Sequence, residues 1–385
     1  MFWDSFWRTL TVVLYIANII LVAYTCVSLF LKRQDPIKTI SWMIVLILLP
    51  YLGLILYIFF GRNFRKEKMF NRKGASDQQI KEKIAYGMLQ RMHDENILPP
   101  ELRKHSKLII QNLRSNNSLL TTDSEAEIYF DGKSSLLAML KSIEEAQEHI
   151  HLQSFIIEDD EVGNLFKDAL IAKAKKGIEV RVMYDGFGGR KLSRSYINEL
   201  KEAGVEVLIF SPFRWFFPPV LVNYRNHRKI LVVDGKVGFL GGVNIANRYF
   251  NGGVFPEWRD THIKLVGQSV YLLQASFLLD RYFILNHNLK KRDKYYPEFE
   301  IEPMKEKVEK HFYSQIISSG PDSDWSAIMQ CYFTAITNAK RDIYIITPYF
   351  IPTDPILNAI KITALSNVNV NLMIPERSDT WLTNW

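Results

Sequence analysis

Residues 223–244 hold the chemistry-bearing pattern of this chain. They read Asn-Tyr-Arg-Asn-His-Arg-Lys-Ile-Leu-Val-Val-Asp-Gly-Lys-Val-Gly-Phe-Leu-Gly-Gly-Val-Asn and contain His227, Lys229 and Asp234 in an H-x-K-x-x-x-x-D string, followed by Gly241, Gly242 and Asn244. Residues 230–233 form an unbroken apolar run closed by Asp234-Gly235, which predicts a buried strand ending in a turn. Side chains two apart on a strand point the same way, so His227 and Lys229 are expected to face one site. A neutral imidazole can attack phosphorus and form a phosphoryl-histidine. A charged one can instead protonate a leaving alkoxide, and the residues alone leave both roles open. Lys229 is the expected phosphate-binding cation. Asn244, after a tight Gly241-Gly242 turn, would donate an amide hydrogen bond to the same phosphate. Asp234 is expected to orient a ring or a neighbouring donor rather than to react.

An H-x-K triplet alone arises by chance in many proteins and usually sits on a solvated edge. The full string, with the aspartate at this interval and G-G-x-N after it, is much harder to obtain by accident. Its spacing resembles the catalytic motif of the phospholipase D superfamily.

The elements around the motif divide the 385 residues into parts. Residues 10–31 and 39–60 contain no charged side chain. Each run is long enough to cross a hydrocarbon core of about 30 Å, and neither looks like a cleaved signal peptide. The short link between them implies a hairpin with both ends on one side, so residues 1–61 are read as a two-helix transmembrane anchor. The link carries Lys32, Arg33 and Lys38. The flanks carry Arg8, Arg62, Arg65, Lys66, Lys68, Arg72 and Lys73. That bias puts the large domain in the cytoplasm of a multi-pass cell-membrane protein. Trp3, Trp7 and Phe60 suit interfacial belts.

Residues 62–115 are charged and polar and read as a basic linker with amphipathic helices, as in 80–92. They would lie on the membrane surface or pack against the catalytic domain. Beyond about 120, strands and helices alternate. Strands are expected at 128–130, 150–157, 179–184 and 205–210, and helices at 134–148, 163–176 and 194–203, the last two ended by Gly177 and Gly204. This predicts an α/β sandwich around a largely internal sheet.

An internal repeat runs through it. Ala146-Gln-Glu-His-Ile-His-Leu-Gln-Ser-Phe-Ile-Ile parallels Ala339-Lys-Arg-Asp-Ile-Tyr-Ile-Ile-Thr-Pro-Tyr-Phe, and residues 177–183 parallel 367–373. The first copy is assigned to 116–295 and the start of a second to 310–385.

Composition adds exclusions. With two cysteines, Cys26 and Cys331, the sequence offers no disulfide framework and no Cys/His metal cluster, so no metal and no cofactor are expected. His149 and His151 alternate along a strand and read as structural or partly exposed. The net charge of +7 suits an anionic surface, lipid or nucleic acid. A membrane hairpin makes little sense for a nuclease, which favours lipid and argues against nucleic acid.

The wider sequence is similar to bacterial cardiolipin synthases. Trp42, Pro50, Gly53, Tyr57 and Gly61-Arg62-Asn63 resemble their N-terminal membrane module. Glu257-Trp258-Arg259-Asp260-Thr261-His262, Thr347-Pro348-Tyr349-Phe350-Ile351-Pro352 and residues 375–379 resemble further segments. The resemblance implies two α/β repeats related by pseudo-two-fold symmetry, each giving one motif to a shared site. It implies transfer of a phosphatidyl group from one phosphatidylglycerol to another through a phosphatidyl-histidine. His227 would be the nucleophile, with Lys229 and Asn244 on the phosphate and Asp234 in support. Hydrolysis, or transfer to another acceptor, is the alternative within the superfamily, and an inactive lipid-binding protein is the alternative outside it. Repeat arithmetic places the partner histidine at 417–420, so the reading expects a C-terminally truncated chain. Self-association that pairs two copies of His227 is a second route, which the half-built second repeat would obstruct.

Overall fold

The computed structural model describes residues 2–31, 36–57, 85–86, 88, 98–210, 225–253, 258–285, 292–297, 312–320 and 325–376. The chain divides into two compact units.

In the first unit, Phe2–Leu31 is one helix, α1. Its Ser5–Leu31 stretch has 27 residues and a mean hydropathy of 2.2, and at about 1.5 Å per residue it exceeds the thickness of a hydrocarbon core. The second apolar run is broken into α2 (Pro36–Leu48) and α3 (Pro50–Leu56). Proline disfavours helical backbone in the residue before it, and Leu49 sits at φ −129°, ψ 67°. Among the described residues, one helix is therefore long and apolar enough to cross a bilayer, where two were expected. Residues 58–60 of the second run lie outside the described ones. Val22, Leu29, Leu46 and Tyr57 pack together, with Trp42 edge-on to Tyr57 at 5.5 Å.

In the second unit, α4 (Ser106–Asn116) buries Ile109 and Leu113 against Leu119, Leu120 and Leu272. This part of the linker region packs on the protein, the second of its two expected placements. Most of 80–92 lies outside the described residues.

Then follow β1 (Leu120–Tyr129), α5 (Gly132–Glu145), β2 (His149–Ser154), α6 (Glu161–Lys175), β3 (Glu179–Asp185), α7 (Arg194–Glu202) and β4 (Glu206–Phe210). After the motif come β5 (Ile230–Val233), β6 (Val237–Gly241), α8 (Asn247–Asn251), β7 (His262–Gly267), α9 (Ser269–Leu285) and β8 (Phe312–Gln315). The eight strands form one mixed sheet in the order β4-β3-β2-β5-β6-β7-β1-β8. β2, β3 and β4 are parallel, and β5 enters antiparallel to β2.

Strand alternation sorts the side chains onto two faces. Ile150, Leu152, Val180, Val182, Leu231 and Phe239 join Leu136, Ile143, Phe166, Leu170 and Leu200 of α5, α6 and α7 in the main core. Ile230 and Val232 pack on Val270 and Leu273 of α9. His149 and His151 also face α9, at 1% and 0% exposure. They are structural, as one expected reading had it, and not partly exposed. Gln274 lies within hydrogen-bond distance of both rings, and His151 stacks on Phe277 at 4.6 Å.

The second copy consists of α10 (Ala327–Asn338), β9 (Asp342–Ile346), α11 (Asp354–Leu365) and β10 (Asn369–Met373), with β9 and β10 parallel. The correspondence reaches the pairing register. His149 pairs with Glu179 in one copy and Asp342 with Asn369 in the other. Ala146 and Ala339 end their helices at nearly the same angles, φ −55°, ψ 138° and φ −60°, ψ 141°. Gly177 and its counterpart Asn367 both turn left-handed, at φ 84° and 65°. Strand β8 lies in the first sheet, paired with β1.

Candidate functional site

The site lies where β2 and β6 end and β5 and β7 begin. Antiparallel pairing of β2–β5, β5–β6 and β6–β7 brings those four ends to one edge of the sheet. The approach to β5 is set by alternation. Asn226 and Arg228 both donate to Asp280 of α9, at 2.6 Å each, and Gln153 of β2 donates to the same carboxylate at 2.7 Å. Asp185, at the end of β3, accepts from the Asn226 backbone at 3.1 Å and from the Phe187 backbone at 2.8 Å. The segment is thus gripped at its even positions, and the odd ones, His227 and Lys229, are presented together as expected.

Phe155, just past β2, is the platform for both. The His227 ring stacks on it with centroids 3.9 Å apart, and the Lys229 ammonium lies 5.4 Å from its centroid. Lys229 Nζ also donates to the His227 carbonyl at 2.6 Å. Partial burial and then the Lys229 charge hold the His227 pKa below the ordinary imidazole value, against a pull from Asp185. Burial lowers Lys229 to about 8, with Asp260 opposing. The pair is thus an exposed imidazole of lowered basicity beside an ammonium of lowered pKa.

Gly241 and Gly242 are needed for close approach rather than for a left-handed turn. Neither has a positive φ. A Cβ on Gly241 would stand 2.5 Å from Nδ1 of His262, and one on Gly242 would stand 1.9 Å from Oδ1 of Asp260. The expected tight turn is in fact the end of β6 running beside the start of β7. Burial raises the Asp260 pKa, opposed by the Thr261 amide, Lys229 and Arg259. His262 is 1% exposed, and burial, helped by Lys229, takes its pKa down to about 4.

Asn244 is buried. Its Oδ1 accepts from the Ile156 amide at 2.9 Å and its Nδ2 donates to the Tyr249 hydroxyl at 2.6 Å, which ties the chain after β6 to the chain after β2. An amide nitrogen carries two hydrogens, so one bond does not exhaust it. Asp234 stands at the far end of β5 from His227, at φ 53°. Its carboxylate accepts from the amides of Gln147, Glu148 and His149 at 2.8, 2.7 and 2.9 Å. It orients donors, as one expected reading had it, but those donors are backbone groups that start β2. At about 3.3 Å per strand residue it is far from the imidazole. Among the described residues, no group of three His, Cys, Asp or Glu side chains is arranged to hold a metal.

Residues 139–254 match the family described as "Cardiolipin synthase, PLD-like domain", and residues 16–62 match "Phospholipase_D-nuclease N-terminal". The chain is 38% identical over 360 residues to the cardiolipin synthase of Alkalihalophilus pseudofirmus, covering 93% of this chain and 70% of that one. It is 38% identical over 378 residues to the cardiolipin synthase of Halalkalibacterium halodurans, covering 97% and 73%. The chain belongs to the cardiolipin synthase family. Among solved structures, the phosphatidylserine synthase of Haemophilus influenzae Rd KW20 aligns with 72% of this chain and 70% of its own at a TM-score of 0.49 and 12% identity.

Of the motif residues, the structure of this cardiolipin synthase-family chain brings His227 and Lys229 together on Phe155. Motif reading missed Phe155, Asp185, Asp280 and the pair Asp260 and His262. That pair sits in the Trp258-Arg259-Asp260-Thr261-His262 string, where a histidine two residues after an aspartate at a strand start was the available signal. Phe155 and Asp280 carried no signal, because their roles depend on pairing across the sheet.

Proposed function

We propose that this chain transfers a phosphatidyl group between two phosphatidylglycerol molecules, giving cardiolipin and glycerol, with His227 as nucleophile. A ring nitrogen of neutral His227 attacks the phosphorus of the first lipid, the P–O bond to its terminal glycerol breaks, and the departing alkoxide takes a proton. The terminal hydroxyl of a second lipid then loses its proton, attacks the same phosphorus and releases the imidazole. Lys229 balances the charge on the non-bridging oxygens. Asn244 offers them its second amide hydrogen. The proton that the alkoxide takes up is matched by the one that the second lipid's hydroxyl gives up, so the full cycle consumes none. Asp234 acts from a distance by fixing the ends of β5 and β2.

One observation carries the reading: an exposed imidazole of lowered basicity shares the Phe155 ring with an ammonium two residues along. The relatives' name supplies the substrate class. Helix α1 and the second apolar run would form a hairpin that leaves the catalytic unit in the cytoplasm, supported by seven basic flanking residues against three in the link.

The test is incubation with headgroup- and phosphorus-labelled phosphatidylglycerol, followed by a denaturing detergent quench at mildly alkaline pH, where a histidine–phosphorus bond survives. Phosphorus label on wild-type protein but not on His227→Ala, with cardiolipin as product, is expected. Phosphatidic acid as the sole product would replace the transferase by a hydrolase, and label that survives the substitution would remove His227 from the role.

A further inference from the structure

His262 has a property that the proposed reaction does not use. It is 1% exposed, yet neither ring nitrogen has a hydrogen-bond partner among the described residues. A buried polar group left unsatisfied costs about 1–3 kcal/mol, so such groups ordinarily find partners. The local structure is built around this ring. Gly241 pairs directly with His262 across β6 and β7, and a side chain on Gly241 would collide with Nδ1. In the same register Ile230 pairs with Leu240, so Lys229 extends β5 on the side of Gly241 that faces away from β7. A lysine, a bare glycine and an imidazole therefore follow one another across the sheet, on one face.

Lys229 has donors to place there. Its ammonium carries three hydrogens, and one goes to the His227 carbonyl. Asp260 is the carboxylate that acts on it, and the Oδ1 of Asp260 is engaged by the Thr261 amide at 2.7 Å. We propose that His262 is a positioning residue whose neutral imidazole accepts a hydrogen bond from the Lys229 ammonium and holds that cation over the phosphate-binding position. The proposal rests on the reading of Lys229 as the phosphate cation. A carboxylate in the same place would neutralise the ammonium, whereas a neutral acceptor directs it and leaves its charge for the substrate. The imidazole stays neutral because burial and the adjacent cation disfavour its charged form. Among the described residues, the other charged or titratable groups around the pair are His227, Asp260, Arg259, and Tyr249 with its neighbour Arg248.

The test reads Lys229 directly and contains no lipid, so it is independent of which phosphodiester the chain acts on. Trace acetylation of the full chain in detergent, followed by peptide mass spectrometry across pH 6–10, gives the midpoint of Lys229 reactivity, with Lys229→Arg as the control for assignment. His262→Leu removes the acceptor and keeps the bulk, and should move that midpoint down by about half a pH unit or more. His262→Asn, which restores an acceptor, should return it most of the way. An unchanged midpoint in a folded His262→Leu protein overturns the proposal. If that variant does not accumulate, His262→Met gives the same reading. A wild-type chain that shows this coupling but traps no phosphatidyl group would sink the proposed reaction and leave this inference standing.

Discussion

Arg228 and Asp280 form an ion pair at 2.6 Å on the side of the motif strand away from His227. The middle residue of His-Arg-Lys is thus a clamp to α9, and the same carboxylate also takes Asn226 and Gln153. Asp280→Asn keeps the shape and removes the charge. Leaving a partly buried guanidinium without its counter-charge should cost about 1–3 kcal/mol of stability. Misplacing His227 and Lys229 should lower kcat roughly tenfold with a smaller change in KM. Thermal unfolding and initial rates on the same preparation check both, and an unaltered kcat would show that the clamp does not position the motif.

Asp234 belongs to the same short string but acts on the fold. Three backbone amides lose their acceptor in Asp234→Ala, and charge-assisted bonds of this kind suggest a loss of roughly 3 kcal/mol. The protein that remains folded should keep kcat within about tenfold of wild type, whereas His227→Ala should lose at least about a thousandfold. Normalising rates to folded protein separates the two. Equal losses per folded molecule would return Asp234 to the chemistry.

The pH profile follows from two groups. His227 must be neutral to attack, and its pKa lies below the ordinary value of about 6.5. Activity therefore rises with pH on an acid limb placed below that value. Lys229 must be charged, so activity falls as pH rises through about 8. Asp260→Asn removes the carboxylate that favours the charged ammonium, which should move the alkaline limb down and leave the acid limb in place. Values of kcat/KM from about pH 5 to about pH 10.5 give both limbs, and an alkaline limb near or above about pH 10 in wild type would exclude Lys229 as its source.

Local signals carried much of the fold. The expected strand at 179–184 and helix at 194–203 lie within a residue of β3 and α7, because hydrophobic period and glycine stops are written in consecutive residues. Asp160 and Ser193 cap their helices with side-chain oxygens, a signal of the same local kind. Gly241 and Gly242 were recognised as special for the wrong reason, since the groups that require them, His262 and Asp260, come from a strand about twenty residues later. The burial of His149 and His151 was equally hidden, because α9, which covers them, reads in sequence as a merely apolar stretch. The motif string singled out His227 and Lys229, which the structure presents side by side on Phe155. What grips them lies across the sheet, where spacing along the chain says nothing.

Between their paired strands the two copies differ in length at one place. Helix α6 has 15 residues and α11 has 12, while the paired strands on either side match position for position. Three residues are close to one helical turn, and removing them shortens the helix while returning the chain to the next strand in phase. A one-residue deletion in β2 or β3 would instead turn every following side chain to the opposite face. Chimaeras between the halves should therefore be spliced at Ala146/Ala339 and Glu179/Asn369, and libraries that vary length belong in the crossover helix.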